Sequence, residues 1–158
     1  MKTVTQNTVI VKKISRSVTR EDYSVQEHSR LTLVYIITGD TDMEVSPAVH
    51  LAGRGASATI IGLITGSKHG KIRMHTLQHH KAPDTTSNLL VKSVLSDASE
   101  IFYDGSILVD LCAQKTDAYQ RNENLLRHYC AGWLHRKNNN SSNRRRGFWR
   151  CYVCSRYL

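Results

Sequence analysis

The chain has 158 residues, 40% of them hydrophobic, and a formal net charge of +9. That is enough for one domain with a real core, or a domain with an appendage. The charge would suggest nucleic acid, but it is confined to one end: residues 1–126 carry 14 Lys and Arg against 13 Asp and Glu, whereas residues 127–158 carry eight basic residues and no acid. The basicity therefore says nothing about what the body binds. Cys112 is the only cysteine of the body, while Cys130, Cys151 and Cys154 lie in the tail. One cysteine cannot make a disulfide scaffold, which fits a reducing compartment. No window approaches 18 apolar residues, and the first residues hold no apolar signal-peptide segment. A cytoplasmic protein away from membranes is the expectation.

In chain order the body reads as one strand after another. Thr8–Val11 is a short β-branched run. Leu31–Thr38, Met43–Leu51 and Ala56–Thr65 follow, separated by Gly39-Asp40 and Gly53-Arg54-Gly55. Then come Lys71–His79, Asn88–Leu95 and Ile101–Leu111, punctuated by Gly66-Ser67, Gly70, Pro83-Asp84, Asp97 and Gly105. Val, Ile, Thr and Tyr favour pleated, half-buried surfaces. No stretch of helical periodicity competes. Strands starting roughly 12–15 residues apart suit either an antiparallel sandwich or a solenoid. Residues 127–158, with an Asn/Ser tract and an Arg triplet, predict an irregular basic tail, mostly disordered.

Two polar blocks stand out. The first runs His75-Thr76-Leu77-Gln78-His79-His80-Lys81-Ala82-Pro83-Asp84-Thr85-Thr86-Ser87-Asn88. On a strand, His75 and His79 share a face and His80 takes the other. Two same-face imidazoles about 13 Å apart cannot share an ion. A metal site there needs a ligand from a neighbouring rung, with Asp84 or Cys112 as candidates. The plainer reading is a polar rung whose imidazoles bond turn backbone, with Pro83-Asp84-Thr85-Thr86-Ser87 as a corner. The second block is Ala113-Gln114-Lys115-Thr116-Asp117-Ala118-Tyr119-Gln120-Arg121-Asn122-Glu123-Asn124-Leu125-Leu126. Gln114, Thr116, Gln120, Asn122 and Asn124 share a parity. On one strand face such amides would stack into hydrogen-bonded ladders. Cys112, just before, reads as a small buried apolar side chain on a strand.

Both blocks, in this order, resemble signatures of the SufB/SufD family, the paired scaffold subunits of SUF iron–sulfur cluster assembly. The first is similar to the family's HxTxxHxAPxTTS segment. The resemblance implies a right-handed parallel β-helix, so an all-β fold. It divides the chain into a lead-in strand and loop over 1–30, a β-helix core over 31–126 and the tail over 127–158. It implies a structural role for His75, Thr76, His79, Ala82, Pro83, Thr85, Thr86, Ser87, Gln114, Thr116, Asp117, Tyr119, Gln120, Asn122 and Asn124. In the family a cluster is built transiently on a SufB–SufD-type dimer, driven by a SufC-type ATPase. The implied partners are thus a SufB/SufD-type subunit and that ATPase, with a homodimer also open. No catalytic residue, resident cofactor or metal is expected on this chain, and no membrane or nucleic-acid partner.

The resemblance stops after Leu126. The family's PxLEI strand, its DDVxCxHGA interface block and its ATPase-docking helices have no match in residues 127–158. A truncated or frame-shifted member is the expectation. Two readings of another class remain. Asp97, Glu100, Asp104 and Asp110 would serve a carbohydrate-active β-helix. Cys130, His135, Cys151 and Cys154, with the Arg triplet, would serve a small zinc- or nucleic-acid-binding module.

Overall fold

In the computed structural model residues 1–15, 17–127, 131–139 and 149–157 are described, Ser17 and the last two segments through their backbone alone. Among them there is no helix. Twelve strands form two six-stranded sheets in which every pair is parallel. The first sheet runs β1 (Lys2–Val4), β3 (Ser17–Val25), β5 (Met43–Leu51), β7 (Lys71–His80), β9 (Glu100–Val109), β11 (Ala131–Asn139). The second runs β2 (Thr8–Ile14), β4 (Arg30–Gly39), β6 (Ser57–Gly66), β8 (Thr86–Leu95), β10 (Asp117–Leu126), β12 (Trp149–Tyr157). Consecutive strands alternate between the sheets, so the chain winds as a parallel β-solenoid with its core between them. The expected all-β, β-helical fold is what the chain adopts.

The strands alternate a buried inner side chain with a half-buried or exposed outer one, as a sheet covered on one face requires. In β4, Leu31, Leu33, Tyr35 and Ile37 point inward and are fully buried. Each buried leucine or isoleucine contributes about 2 kcal/mol. The outward Val34 lies in register between Val11 and Ile61, and Ile61 beside Leu90, so apolar side chains stack along the outer face too.

The corners repeat as well. His28, Gly55, Asp84 and Lys115 all take positive φ at the same corner. The first three each donate their N–H to the next rung, to the carbonyls of Arg54, Pro83 and Gln114. At Gly53 the preceding rung passes so close that a Cβ would overlap the backbone N of Glu27. Only glycine fits there.

Three expectations are corrected. The first 25 residues already supply three strands of the solenoid rather than one lead-in strand and a loop. The tail is not irregular throughout: β11 continues the first sheet beside β9, and β12 the second beside β10. Cys112 is exposed, in the turn after β9, with its thiol 3.4 Å from the Lys81 carbonyl. The buried apolar position in that turn is Ala113.

Glu21 fills the first rungs. Its carboxylate accepts hydrogen bonds from Lys12, from Lys2 at 3.3 Å, and from the Tyr23 and Tyr35 hydroxyls at 3.1 and 2.9 Å. Burial pushes its pKa up, but the bonds from Lys12, Tyr35 and Lys2 outweigh that and leave it below the usual carboxylate range. Both tyrosine hydroxyls are pushed upward, chiefly by burial. A lowered carboxylate pKa gives stability that is present above the unfolded value and lost as pH falls through the folded one. Glu21→Gln should cost about 2 kcal/mol in urea unfolding at pH 7. It should also flatten the loss of stability expected of the wild type below about pH 4.5.

Candidate functional site

The interior changes character along the axis. Its earlier rungs hold Leu31, Leu33, Val45, Val49, Leu51 and Ile60. Its later rungs add buried polar groups to apolar ones such as Ile72, Met74, Leu89 and Val91: Thr76, Gln78 and His80 of β7, Ser87 and Ser93 of β8, and Gln120, Asn122 and Asn124 of β10. Both motif blocks therefore feed one place, the polar half of the lumen.

His80 lies at its centre and is fully buried. Its Nδ1 is 2.8 Å from Thr85 Oγ1 and its Nε2 is 2.8 Å from Ser87 Oγ. Thr85 donates its own proton to the Ala82 carbonyl at 3.1 Å. It must then accept from His80 Nδ1–H, and the Ser87 hydroxyl donates to Nε2. Burial, and secondarily the neighbouring His79, hold the His80 pKa down to about 4. The ring is neutral at physiological pH. Thr116, one rung on, repeats the corner: its hydroxyl donates to the Ala113 carbonyl at 3.1 Å and lies 3.2 Å from Thr85 Oγ1. Thr76 bonds the buried Tyr103 hydroxyl at 2.9 Å, and Ser93 donates to Asn124 Oδ1 at 2.6 Å.

The polarity is only partly satisfied. Both side-chain polar atoms of Gln78, and both of Asn122, are buried without a hydrogen-bond partner. Each such group costs about 1–3 kcal/mol. Gln120 reaches across the lumen to β9, where a Cβ at Gly105 would overlap its amide.

The motif residues separate by face. Thr76, Ala82, Thr85, Ser87, Thr116, Gln120, Asn122 and Asn124 are buried. Pro83 is half-buried at the corner, and Thr86 and Asp117 are exposed where β8 and β10 begin. Gln114 is exposed in the turn, its amide donating to the Leu111 carbonyl at 2.9 Å. Tyr119 is half-buried on the outer face. The expected amide ladder does not form between β8 and β10, because Gln120 and Asn122 stand in register with Leu89 and Val91. Nor do the imidazoles bond turn backbone; His80 bonds hydroxyls. His75, on the outer face, lies 3.7 Å from Asp104.

His79 also points outward, to His50 on β5 and to Asp110. His50 escaped the sequence reading. Its signal was a spacing of 29 residues to His79, which is also the register offset between β6 and β8. Neither candidate neighbouring-rung ligand joins His79: Asp84 binds Arg54 at 2.8 Å, and Cys112 faces the Lys81 carbonyl. Among the acidic residues, Asp97 accepts from the Lys68 N–H and Glu100 lies 3.9 Å from Lys71. Asp104 and Asp110 face imidazoles. These are roles of turn and edge carboxylates. Cys130 lies outside the described residues, as do the side chains of His135, Cys151 and Cys154.

A parallel β-solenoid, without a helix among the described residues and with polar groups buried in its later rungs, defines the class: a β-helical core domain built around two polar blocks. The family model for "SUF system FeS cluster assembly, SufBD core domain" matches residues 5–131. The chain belongs to that family, and its work lies in SUF iron–sulfur cluster assembly, as an assembly component. The match starts well before Leu31 and takes in the second and third strands of the solenoid. No curated protein matches the chain. No solved structure matches it either. No helix of the described residues is long and apolar enough to cross a membrane.

A histidine held below its unfolded pKa gives stability that is complete above about pH 6.5 and lost as pH falls toward the folded value. His80 alone should therefore destabilise the fold by about 3 kcal/mol between pH 7.5 and pH 4. Chemical denaturation across that range should show His80→Gln losing correspondingly less stability than the wild type.

Proposed function

We propose that the chain is a non-catalytic scaffold subunit of SUF iron–sulfur cluster assembly, acting in the cytoplasm beside a SufB/SufD-type partner and a SufC-type ATPase. The observation that carries this reading is the family match over residues 5–131, whose two motif blocks together build the polar lumen. The cluster is cargo. No stretch of the 158 residues matches the family's interface Cys/His block, so the reading assigns this chain no cluster ligand. ATP hydrolysis belongs to the partner ATPase.

The lumen supports a working role for the core. Unpaired Gln78 and Asn122 lower stability in a position where apolar side chains would raise it. Real proteins break the rules of core packing chiefly at functional or strained sites.

The test is co-expression with a SufB- or SufD-type subunit and a SufC-type ATPase, then anaerobic reconstitution with iron and sulfide. A co-purifying complex that forms the visible cluster chromophore, with none formed by the chain alone, is the expected result. A chain that never associates with those subunits, or that builds a stoichiometric cluster by itself, would overturn it. In the same assay the double substitution Gln78→Leu, Asn122→Leu should raise thermal stability by about 1–2 kcal/mol while lowering cluster formation.

A further inference from the structure

The outer face of the first sheet carries a second polar arrangement, separate from the lumen. His50 of β5 and His79 of β7 are in register on adjacent strands. Their Nδ1 atoms are 3.2 Å apart, and their side chains are only 18% and 14% exposed. Each ring turns its other nitrogen to a carboxylate. His79 Nε2 lies 2.9 Å from Asp110 Oδ1, and His50 Nε2 lies 3.7 Å from Asp22 Oδ1. The four residues thus form a line, Asp22–His50–His79–Asp110, across neighbouring strands.

Metal-binding histidines characteristically hand their second ring N–H to a carboxylate, which leaves the remaining nitrogen as a lone pair aimed at the ion. His79 has that carboxylate within hydrogen-bond distance of Nε2, and His50 Nε2 faces one at 3.7 Å. With both in that tautomer, two Nδ1 lone pairs face each other, and a positive centre between them relieves the repulsion. Two nitrogens bound to one tetrahedral ion at about 2.0–2.1 Å are about 3.3–3.4 Å apart. The present separation differs from that by a tenth or two of an ångström.

We propose that His50 and His79 form a surface site for one divalent first-row transition ion, bound through their two Nδ1 atoms and oriented by Asp22 and Asp110. Imidazole selects zinc, cobalt, nickel, copper or ferrous iron over magnesium and calcium. Among the described residues no three His, Cys, Asp or Glu converge on one point. The chain therefore supplies two ligands and water the rest. Open positions mark an exchangeable ion rather than a structural one. The Lys81 ammonium acts on His50 and opposes a cation; the two carboxylates offset it. The site stands whether or not the scaffold reading holds.

The test is titration of the full chain with cobalt(II) at pH 7.5, following bound equivalents by calorimetry and the visible bands of the ion. Other thiols and imidazoles of the chain also take up metal, so the reading is a difference between variants. The wild type should bind one equivalent more than His50→Ala or His79→Ala, or bind it at least tenfold more tightly. Asp110→Asn should weaken that equivalent about tenfold. His75→Ala should retain it, and magnesium should not compete. Circular dichroism checks that the variants fold. Should alanine disturb the rung, His50→Gln and His79→Gln give the same reading. In the wild type, zinc should shift the ¹⁵N resonances of Nδ1 in both rings. Binding unchanged in both histidine variants, or Nδ1 resonances that do not respond, would overturn the proposal. The pair would then be an ordinary hydrogen bond, with His50 Nδ1–H donating to His79.

Discussion

Everything in this molecule depends on parallel strands stacking in register. A parallel ladder joins each residue to its neighbours one rung before and one rung after. A side chain's environment is thus set about 30 residues away in sequence, as at His80, whose corner partner Thr85 touches Thr116 across 31 residues. The corners enforce this stacking. Residues in left-handed conformation at His28, Gly55 and Asp84 each give an N–H to the next rung, so a corner is both a turn and a rung-to-rung bond. A parallel sheet left to itself needs long crossovers and covering helices. Here each sheet covers one face of the other, and the crossover is the opposite strand.

That arrangement explains why polarity can be buried. Within a solenoid the backbone is satisfied by the ladders whatever the side chains are. The lumen of later rungs can therefore carry Gln78, His80, Gln120 and Asn122 without losing the fold. The early rungs, sealed by Tyr23, Tyr35 and the bonded Glu21, and the buried Leu89, Val91, Leu95 and Ile101 of the later ones supply the apolar burial that offsets this polarity.

Much of the fold was legible in the sequence and its failures share a cause. Met43–Leu51 was read to the residue, and Leu31–Thr38 and Asn88–Leu95 nearly so, because β-branched runs between turn residues report strands locally. The alternation of His75, His79 and His80 between faces was legible for the same reason. What could not be read is what lies across a rung. Amides of equal parity at Gln120 and Asn122 suggested a ladder, but the neighbouring strand brings Leu89 and Val91. Gln114 shares that parity and lies in a turn, because Ala113-Gln114-Lys115-Thr116 is the same corner as Ala82-Pro83-Asp84-Thr85. That equivalence shows only once the 31-residue offset between β8 and β10 is known. The first strands were underread because Ser17–Val25 mixes charge with short apolar residues, its outward face being solvated.

The chemistry of the chain then reduces to one strand seen from its two sides. In β7, His80 turns inward, bonds two hydroxyls and is kept neutral by burial, while His79, one residue earlier, turns outward to a second imidazole and a carboxylate. Strand alternation alone separates them, and a slip of one residue would exchange them. Such a slip is prevented by the corner that follows, where Ala82, Pro83 and Asp84 are bonded to the rungs on either side. The turn sequence that identifies the family is thus also what assigns each histidine its environment, which is why a motif that touches no ligand of its own can govern two sites of different chemistry.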